Sequence, residues 1–291
     1  MQKSVRTAAY YGYVLLLVGT TLLWGTTFPL LKNALATLSP ATLICARFLV
    51  GTVVLLPFCR HFNLRLVRDS AILGAVVYAS YLTQVIGLQT ISSNRSAFIT
   101  SLNVVMVPLL GVLLGQSLSR RVWFAAGLAV AGIGVLSWEG GAIGVGDLWI
   151  LGCALSYAIY VLLMERIAPR HPPLALTIYQ LMVISLLGLV GAVPEWRGQV
   201  EAIRQNWGAI VYLGVMATAV TTWTQAIAQR YVSATETAIV YSLEPVFAAV
   251  FSYWWLGESL GVRGLLGGAM VLVAMVLSQV NPAKVSLGNK R

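Results

Sequence analysis

Ten apolar runs, each close to twenty residues long, dominate this chain. They lie at 11–31, 41–58, 71–90, 96–115, 120–138, 147–166, 174–193, 207–229, 235–256 and 262–280. A helix that crosses a bilayer needs ~20 consecutive, mostly apolar residues. A membrane β-barrel would show ~10-residue segments of alternating polarity, and these runs do not alternate. The sequence therefore predicts an all-α integral membrane protein with ten transmembrane helices. Composition agrees, since 58% of the 291 residues are hydrophobic and 10% are charged, against ~25% charged in a soluble domain. So few charges cannot cover a water-facing surface, which excludes an ordinary cytoplasmic enzyme and a disordered chain. The net charge of +10 does not suggest a nucleic-acid partner, because the basic residues lie between apolar runs instead of clustering on one face. Lys3 and Arg6 precede the first run as in a signal peptide. That run is long and no A-x-A cleavage site follows it, so it reads as a retained span.

Loop charges set the expected orientation. With ten spans both termini share one side. That side carries thirteen Lys and Arg, the other side five (Lys32, Arg95, Arg197, Arg204 and Arg263), and Arg47 lies within a span. The positive-inside rule places both termini in the cytoplasm. Short loops and the lack of targeting elements suggest a bacterial inner membrane. The longest connections, 59–70 and 194–206, are too short for a soluble domain. Trp123, Trp149 and Trp207 sit near span ends and read as interface anchors. Cys45, Cys59 and Cys153 are odd in number and far apart, so they read as buried thiols.

The chain also repeats itself. At an offset of 141, Gln84 meets Gln225, Ser92 meets Ser233, and Ser101-Leu102 meets Ser242-Leu243. At an offset of 133, Gly19 meets Gly152, Leu22 meets Leu155 and Pro40 meets Pro173. The halves, 1–140 and 141–291, hold five spans each. Five is odd, so the halves enter the membrane in opposite directions. Inverted repeats of this kind recur in secondary transporters, which hold their site near the midplane at the repeat interface.

The segment Ser242-Leu243-Glu244-Pro245-Val246-Phe247-Ala248-Ala249, followed by Leu256-Gly257-Glu258-Ser259-Leu260 and Gly264-Leu265-Leu266-Gly267-Gly268, resembles the closing spans of EamA-type carriers of the drug/metabolite transporter superfamily. Ser101-Leu102-Asn103, Pro108 and Leu114-Gly115-Gln116-Ser117-Leu118 echo it in the first half, with Trp24-Gly25 and Arg47-Phe48 also typical. The resemblance covers about residues 12–280 and departs from the family at Gln116-Ser117, where Glu-Arg is usual. It implies ten helices as two inverted five-helix repeats, and movement of small metabolites, often amino acids.

Polar groups in hydrocarbon are costly and are functional candidates by default. The repeat pairs Trp24 and Thr27 with Tyr157 and Tyr160, Arg47 with Gln180, Gln84 with Gln225, and Thr100 and Asn103 with Tyr241 and Glu244. Tyr78 and Tyr81 share a broad face with Gln84. The expected substrate-binding residues are Trp24, Thr27, Arg47, Tyr78, Tyr81, Gln84, Asn103, Tyr157, Tyr160, Gln180, Gln225 and Tyr241. The amides can hydrogen-bond a zwitterion, and the aromatic rings can stack on an organic or cationic ligand. Arg47 can hold a carboxylate through its planar fork, or snorkel to the surface. Glu244 lies about nine residues into its span, or ~13 Å along the axis. It is the expected proton-coupling site or ammonium anchor. Its alternative is a structural carboxylate paired with Arg47 or bonded to Tyr or Gln. Pro108 and Pro245 are expected to kink their spans for gating. The glycine pairs Gly111/Gly115 and Gly264/Gly268 read as close helix packing, chiefly within one chain.

No catalytic, metal or cofactor-binding set is expected. No G-x-x-x-x-G-K-[ST] motif exists for ATP, and His61 and His171 both fall in loops. A channel would need a continuous lining, whereas this polar set clusters at mid-depth. The expected function is secondary-active, alternating-access export of amino acids or related amphipathic compounds, with protons as a candidate coupling ion. The protein is a monomer or homodimer on this reading. The alternative is efflux of organic cations.

Overall fold

The computed structural model describes residues 2–113, 120–137 and 144–279. The chain is all-helical over these residues: α1 (Gln2–Ala34), α2 (Pro40–Leu55), α3 (Leu64–Leu88), α4 (Ser93–Thr100), α5 (Asn103–Leu113), α6 (Arg120–Ser137), α7 (Val145–Ile167), α8 (Pro173–Ala192), α9 (Trp196–Gln205), α10 (Trp207–Gly214), α11 (Thr221–Ala228), α12 (Ala234–Tyr241), α13 (Glu244–Leu256) and α14 (Val262–Gln279). Eight helical stretches are long and apolar enough to cross a membrane, and shorter apolar stretches lie within α6 and α14. These are the ten expected spans. The fourth is α4 with α5, the ninth α12 with α13, and the eighth runs from α10 through a π-helical turn, Val215–Val220, into α11. The Gln116-Ser117 departure and the junction between the halves lie outside the described residues.

Helix starts follow capping chemistry. Ser39, Asn63, Ser92 and Ser233 each accept a backbone N–H in the first turn of the helix they precede, satisfying donors with no partner inside the helix. Gly257 ends α13 at φ +64°, a left-handed conformation that glycine takes without a side-chain penalty.

Packing follows the repeat. The second span lies on the seventh (α2 on α8) and the fifth on the tenth (α6 on α14), so equivalent helices meet each other. The third span packs on the sixth (α3 on α7), and the first packs on the eighth (α1 on α11), which is the same contact in the other half. Small residues allow the close approaches. A Cβ on Gly132 would sit 2.9 Å from the Gly267 carbonyl, and one on Gly268 would meet the Phe98 ring. Gly267 and Gly268 of the last span thus pack against other spans of the chain. Gly51 and Gly214 bring the second and eighth spans together, and a Cβ on Gly214 would lie 2.6 Å from the Arg47 carbonyl. Gly214→Ala should therefore destabilise the protein by about 1–3 kcal/mol, the usual cost of overpacking. Gly198→Ala, whose Cβ meets nothing within 4 Å, should not. Thermal unfolding of detergent-solubilised protein measures both.

Three features differ from the sequence reading. The 194–206 connection contains a helix, α9, with none of its residues buried. It is tied to the first half, since Ser39 N donates to Gln199 Oε1 at 2.8 Å. Helix α3 starts at Leu64 and α1 at Gln2, earlier than the apolar runs begin. The fourth span breaks at Ser101-Leu102, and Pro108 lies inside α5.

Candidate functional site

The fourth and ninth spans break at equivalent places. Helix α4 ends at Thr100 and α5 begins at Asn103, while α12 ends at Tyr241 and α13 begins at Glu244. A break leaves backbone carbonyls without their i+4 donors. In the ninth span Pro245 has no N–H to give. In the fourth no proline stands at the equivalent position, but the Asn103 side chain donates to the Thr100 carbonyl at 2.9 Å. Each break exposes the end of one half-helix and the start of the next near mid-span.

A cavity of about 30 Å³ lies there, lined by Trp24, Thr27, Arg47, Ser80, Tyr81, Gln84, Thr100, Asn103, Cys153, Tyr157 and Glu244. These come from the first, second, third, fourth, sixth and ninth spans. Room on this scale holds one or two waters, so a metabolite requires the walls to move. The aromatic side is continuous. The Trp24 ring packs edge-on against Tyr157 at 5.6 Å and Tyr241 at 4.9 Å, and Tyr157 leans on Tyr160 at 5.4 Å.

Two opposite charges face this cavity. Arg47 is buried to 2% exposure. Its Nε donates to Thr218 Oγ1 at 2.5 Å and its Nη2 to the Ala217 carbonyl at 3.0 Å, both within the π-helical turn. Its guanidinium lies 4.9 Å from the Tyr81 ring centroid, as in a cation–π contact. Arg47 does not snorkel. Glu244 is 6% exposed and opens α13, whose N-terminus carries positive partial charge. Among the described residues the ion pairs do not include Glu244, so the expected alternative of an Arg47–Glu244 pair is not what the structure contains. Nor is its carboxylate hydrogen-bonded to a Tyr or Gln side chain there. Trp24 Nε1 and Asn103 Oδ1 are buried without hydrogen-bond partners. Such groups are costly, and here they stand in the cavity wall.

Of the residues expected at the site, Trp24, Thr27, Arg47, Tyr81, Gln84, Asn103, Tyr157 and Glu244 line the cavity. The others do not line it, and Tyr78, Tyr160, Gln180 and Gln225 are hydrogen-bonded elsewhere. Tyr160 Oη donates to Gln180 Oε1 at 3.0 Å, and Gln180 Nε2 donates to the Leu176 carbonyl. Gln225 accepts from Tyr157 Oη at 3.1 Å and donates to Gln229 Oε1 at 2.8 Å. Tyr78 Oη donates to the Leu187 carbonyl. Tyr241 backs the wall through Trp24. Ser80, Thr100 and Cys153 also line the cavity and fall outside the expected substrate-binding residues. Ser80 Oγ lies 3.1 Å from the Cys153 carbonyl, and neither stands out in the repeat pairing.

Comparison with known proteins agrees with this architecture. The sequence profile described as the EamA-like transporter family matches residues 11–138 and again 144–279. An uncharacterized transporter of Archaeoglobus fulgidus is 28% identical over 260 residues, 88% of this chain and 82% of the relative. Uncharacterized transporter YdfC of Bacillus subtilis is 25% identical, over 91% and 90% of the two chains. A probable terminal-alkyne amino-acid exporter of Streptantibioticus cattleyicolor is 27% identical, over 90% and 91%. A crystal structure superposes with a TM-score of 0.69 at 17% identity, covering 92% of this chain and 96% of the other, which shows a shared fold.

Proposed function

Because the chain belongs to the EamA-like transporter family, we propose that it is a secondary carrier that exports amino acids or related zwitterions by alternating access. One observation carries the substrate class. Glu244 and Arg47 line the same cavity and no ion pair joins them. A zwitterion between them would meet each with the opposite charge, its ammonium at Glu244 and its carboxylate at the guanidinium, while aromatic rings pack its side chain. The name of the Streptantibioticus cattleyicolor relative supports the same class. An organic cation would use Glu244 and the rings and leave Arg47 idle. Short loops support a bacterial inner-membrane location, and loop charges support both termini and the 59–63 loop in the cytoplasm. On this reading the repeats meet near residue 140, and protons exchanged at Glu244 supply the coupling.

The test is counterflow in proteoliposomes loaded with unlabelled amino acid, using a labelled panel outside. Saturable exchange of one amino-acid class is the expected result. Exchange of organic cations alone, with no amino acid moved, overturns the zwitterion reading.

A further inference from the structure

We propose that two ties at opposite faces, Arg95–Asp147 and Glu236–Tyr10, are latches that release in turn as the carrier opens to each side. The proposal rests on the alternating-access reading. Arg95 and Glu236 are 141 residues apart, the offset that relates the two halves, and each stands three residues after a capping serine, Ser92 or Ser233. They are therefore the same position of the repeat, set by the inversion at opposite faces of the membrane. Each lies in the first turn of a half-helix whose last residue borders the cavity region. Helix α4 ends at Thr100, a lining residue, and α12 ends at Tyr241, which backs Trp24. A half-helix of eight residues is ~12 Å long, so movement of its start is delivered directly to the cavity wall.

Each tie also joins one half of the chain to the other. At the outer face, Arg95 Nε and Nη2 donate to Asp147 Oδ1 and Oδ2 at 2.7 and 2.6 Å, across to the start of α7. At the inner face, Tyr10 Oη donates to Glu236 Oε1 at 2.8 Å, from α1 to α12. The remaining polar contacts hold the partners in place. Asp147 Oδ2 accepts from Gly144 N, and Glu236 Oε2 accepts from Ser233 N and Oγ. The outer half-helix is held a second time, by Glu258, whose carboxylate accepts from Ser93 N and Asn94 N. Arg95 and Asp147 line a cleft of about 330 Å³, so water can take over their bonds when they part. A bidentate Arg–carboxylate pair is stronger than a single hydrogen bond from a phenol. The outer latch is the firmer one.

The native thiol Cys153, in the cavity wall, reports opening. In a Cys45→Ala, Cys59→Ser background, a membrane-impermeant methanethiosulfonate is applied from either side of oriented vesicles and Cys153 modification is timed. Asp147→Asn should speed modification from the outer side about fivefold or more, and Tyr10→Phe should do so from the inner side, as expected for a conformational coupling of ordinary size. No change in either variant, or equal acceleration from both sides, overturns the latches. The readout needs no substrate. Side-specific labelling without amino-acid exchange would leave the latches standing and remove the substrate reading, whereas unchanged labelling with intact exchange would do the reverse.

Discussion

Glu244→Gln should abolish accumulation driven by a pH gradient while exchange of amino acid for amino acid persists at saturating substrate. The carboxylate opens α13 at a break in the ninth span, is 6% exposed, and borders a cavity, with no cation among the described residues paired to it. A carboxylate facing this cavity is placed to take a proton or a substrate ammonium. Glutamine keeps the shape and removes both options. A hydrogen bond to a charged group contributes about 1.5–3 kcal/mol, so half-saturation should rise roughly tenfold to a hundredfold. The measurement is uptake into proteoliposomes with and without an imposed gradient. Full gradient-driven accumulation by the variant would make Glu244 structural.

Arg47→Ala should have the second large effect, and it should divide in two. Its guanidinium satisfies Thr218 Oγ1 and the Ala217 carbonyl, so truncation leaves buried groups unpaired at about 1–3 kcal/mol each. Lower thermal stability is expected. Affinity for a zwitterion should also fall about tenfold or more, while a decarboxylated amine of the same skeleton keeps its affinity. Arg47→Lys retains the charge and loses the planar fork, so it should recover stability in part and affinity little. Equal losses for zwitterion and amine would assign Arg47 to structure alone. The π-helical turn gives that second role its physical basis, because its backbone is where the second span grips the eighth.

Much of the architecture is legible from run length alone, since twenty apolar residues admit few alternatives to a span. The breaks are less legible. Pro108 draws attention in the fourth span, but the interruption comes earlier, where the Asn103 side chain takes over the Thr100 carbonyl. That substitution of a side-chain donor for a backbone one has no proline signature. Helix α9 did carry a readable signal, with Trp196, Val200 and Ile203 at helical spacing within a polar stretch.

At the site, repeat pairing finds depth and approximate face. It does not find which polar groups satisfy one another. Arg47 and Gln180 hold equivalent places, yet Arg47 lines the cavity while Gln180 is closed off by Tyr160. Trp24 and Tyr157 both line it, whereas Gln84 does so and Gln225 does not. Pairing among neighbours is a property of three-dimensional packing, and the two halves of this chain have diverged in it. Cys153 shows the opposite limit, because a small residue beside the aromatic face reaches the cavity without any polarity to announce it.

On the proposed function, one cavity receives both ends of a zwitterion. The most direct measurement is equilibrium binding of a labelled amino acid, identified by counterflow, to purified protein. The competitors are its unlabelled form, its decarboxylated amine and its N-acetyl derivative. The unlabelled amino acid should compete at least about tenfold better than either single-ended analogue, the equivalent of ~1.4 kcal/mol. Equal competition by the amine would contradict the claim and assign the cavity to cations.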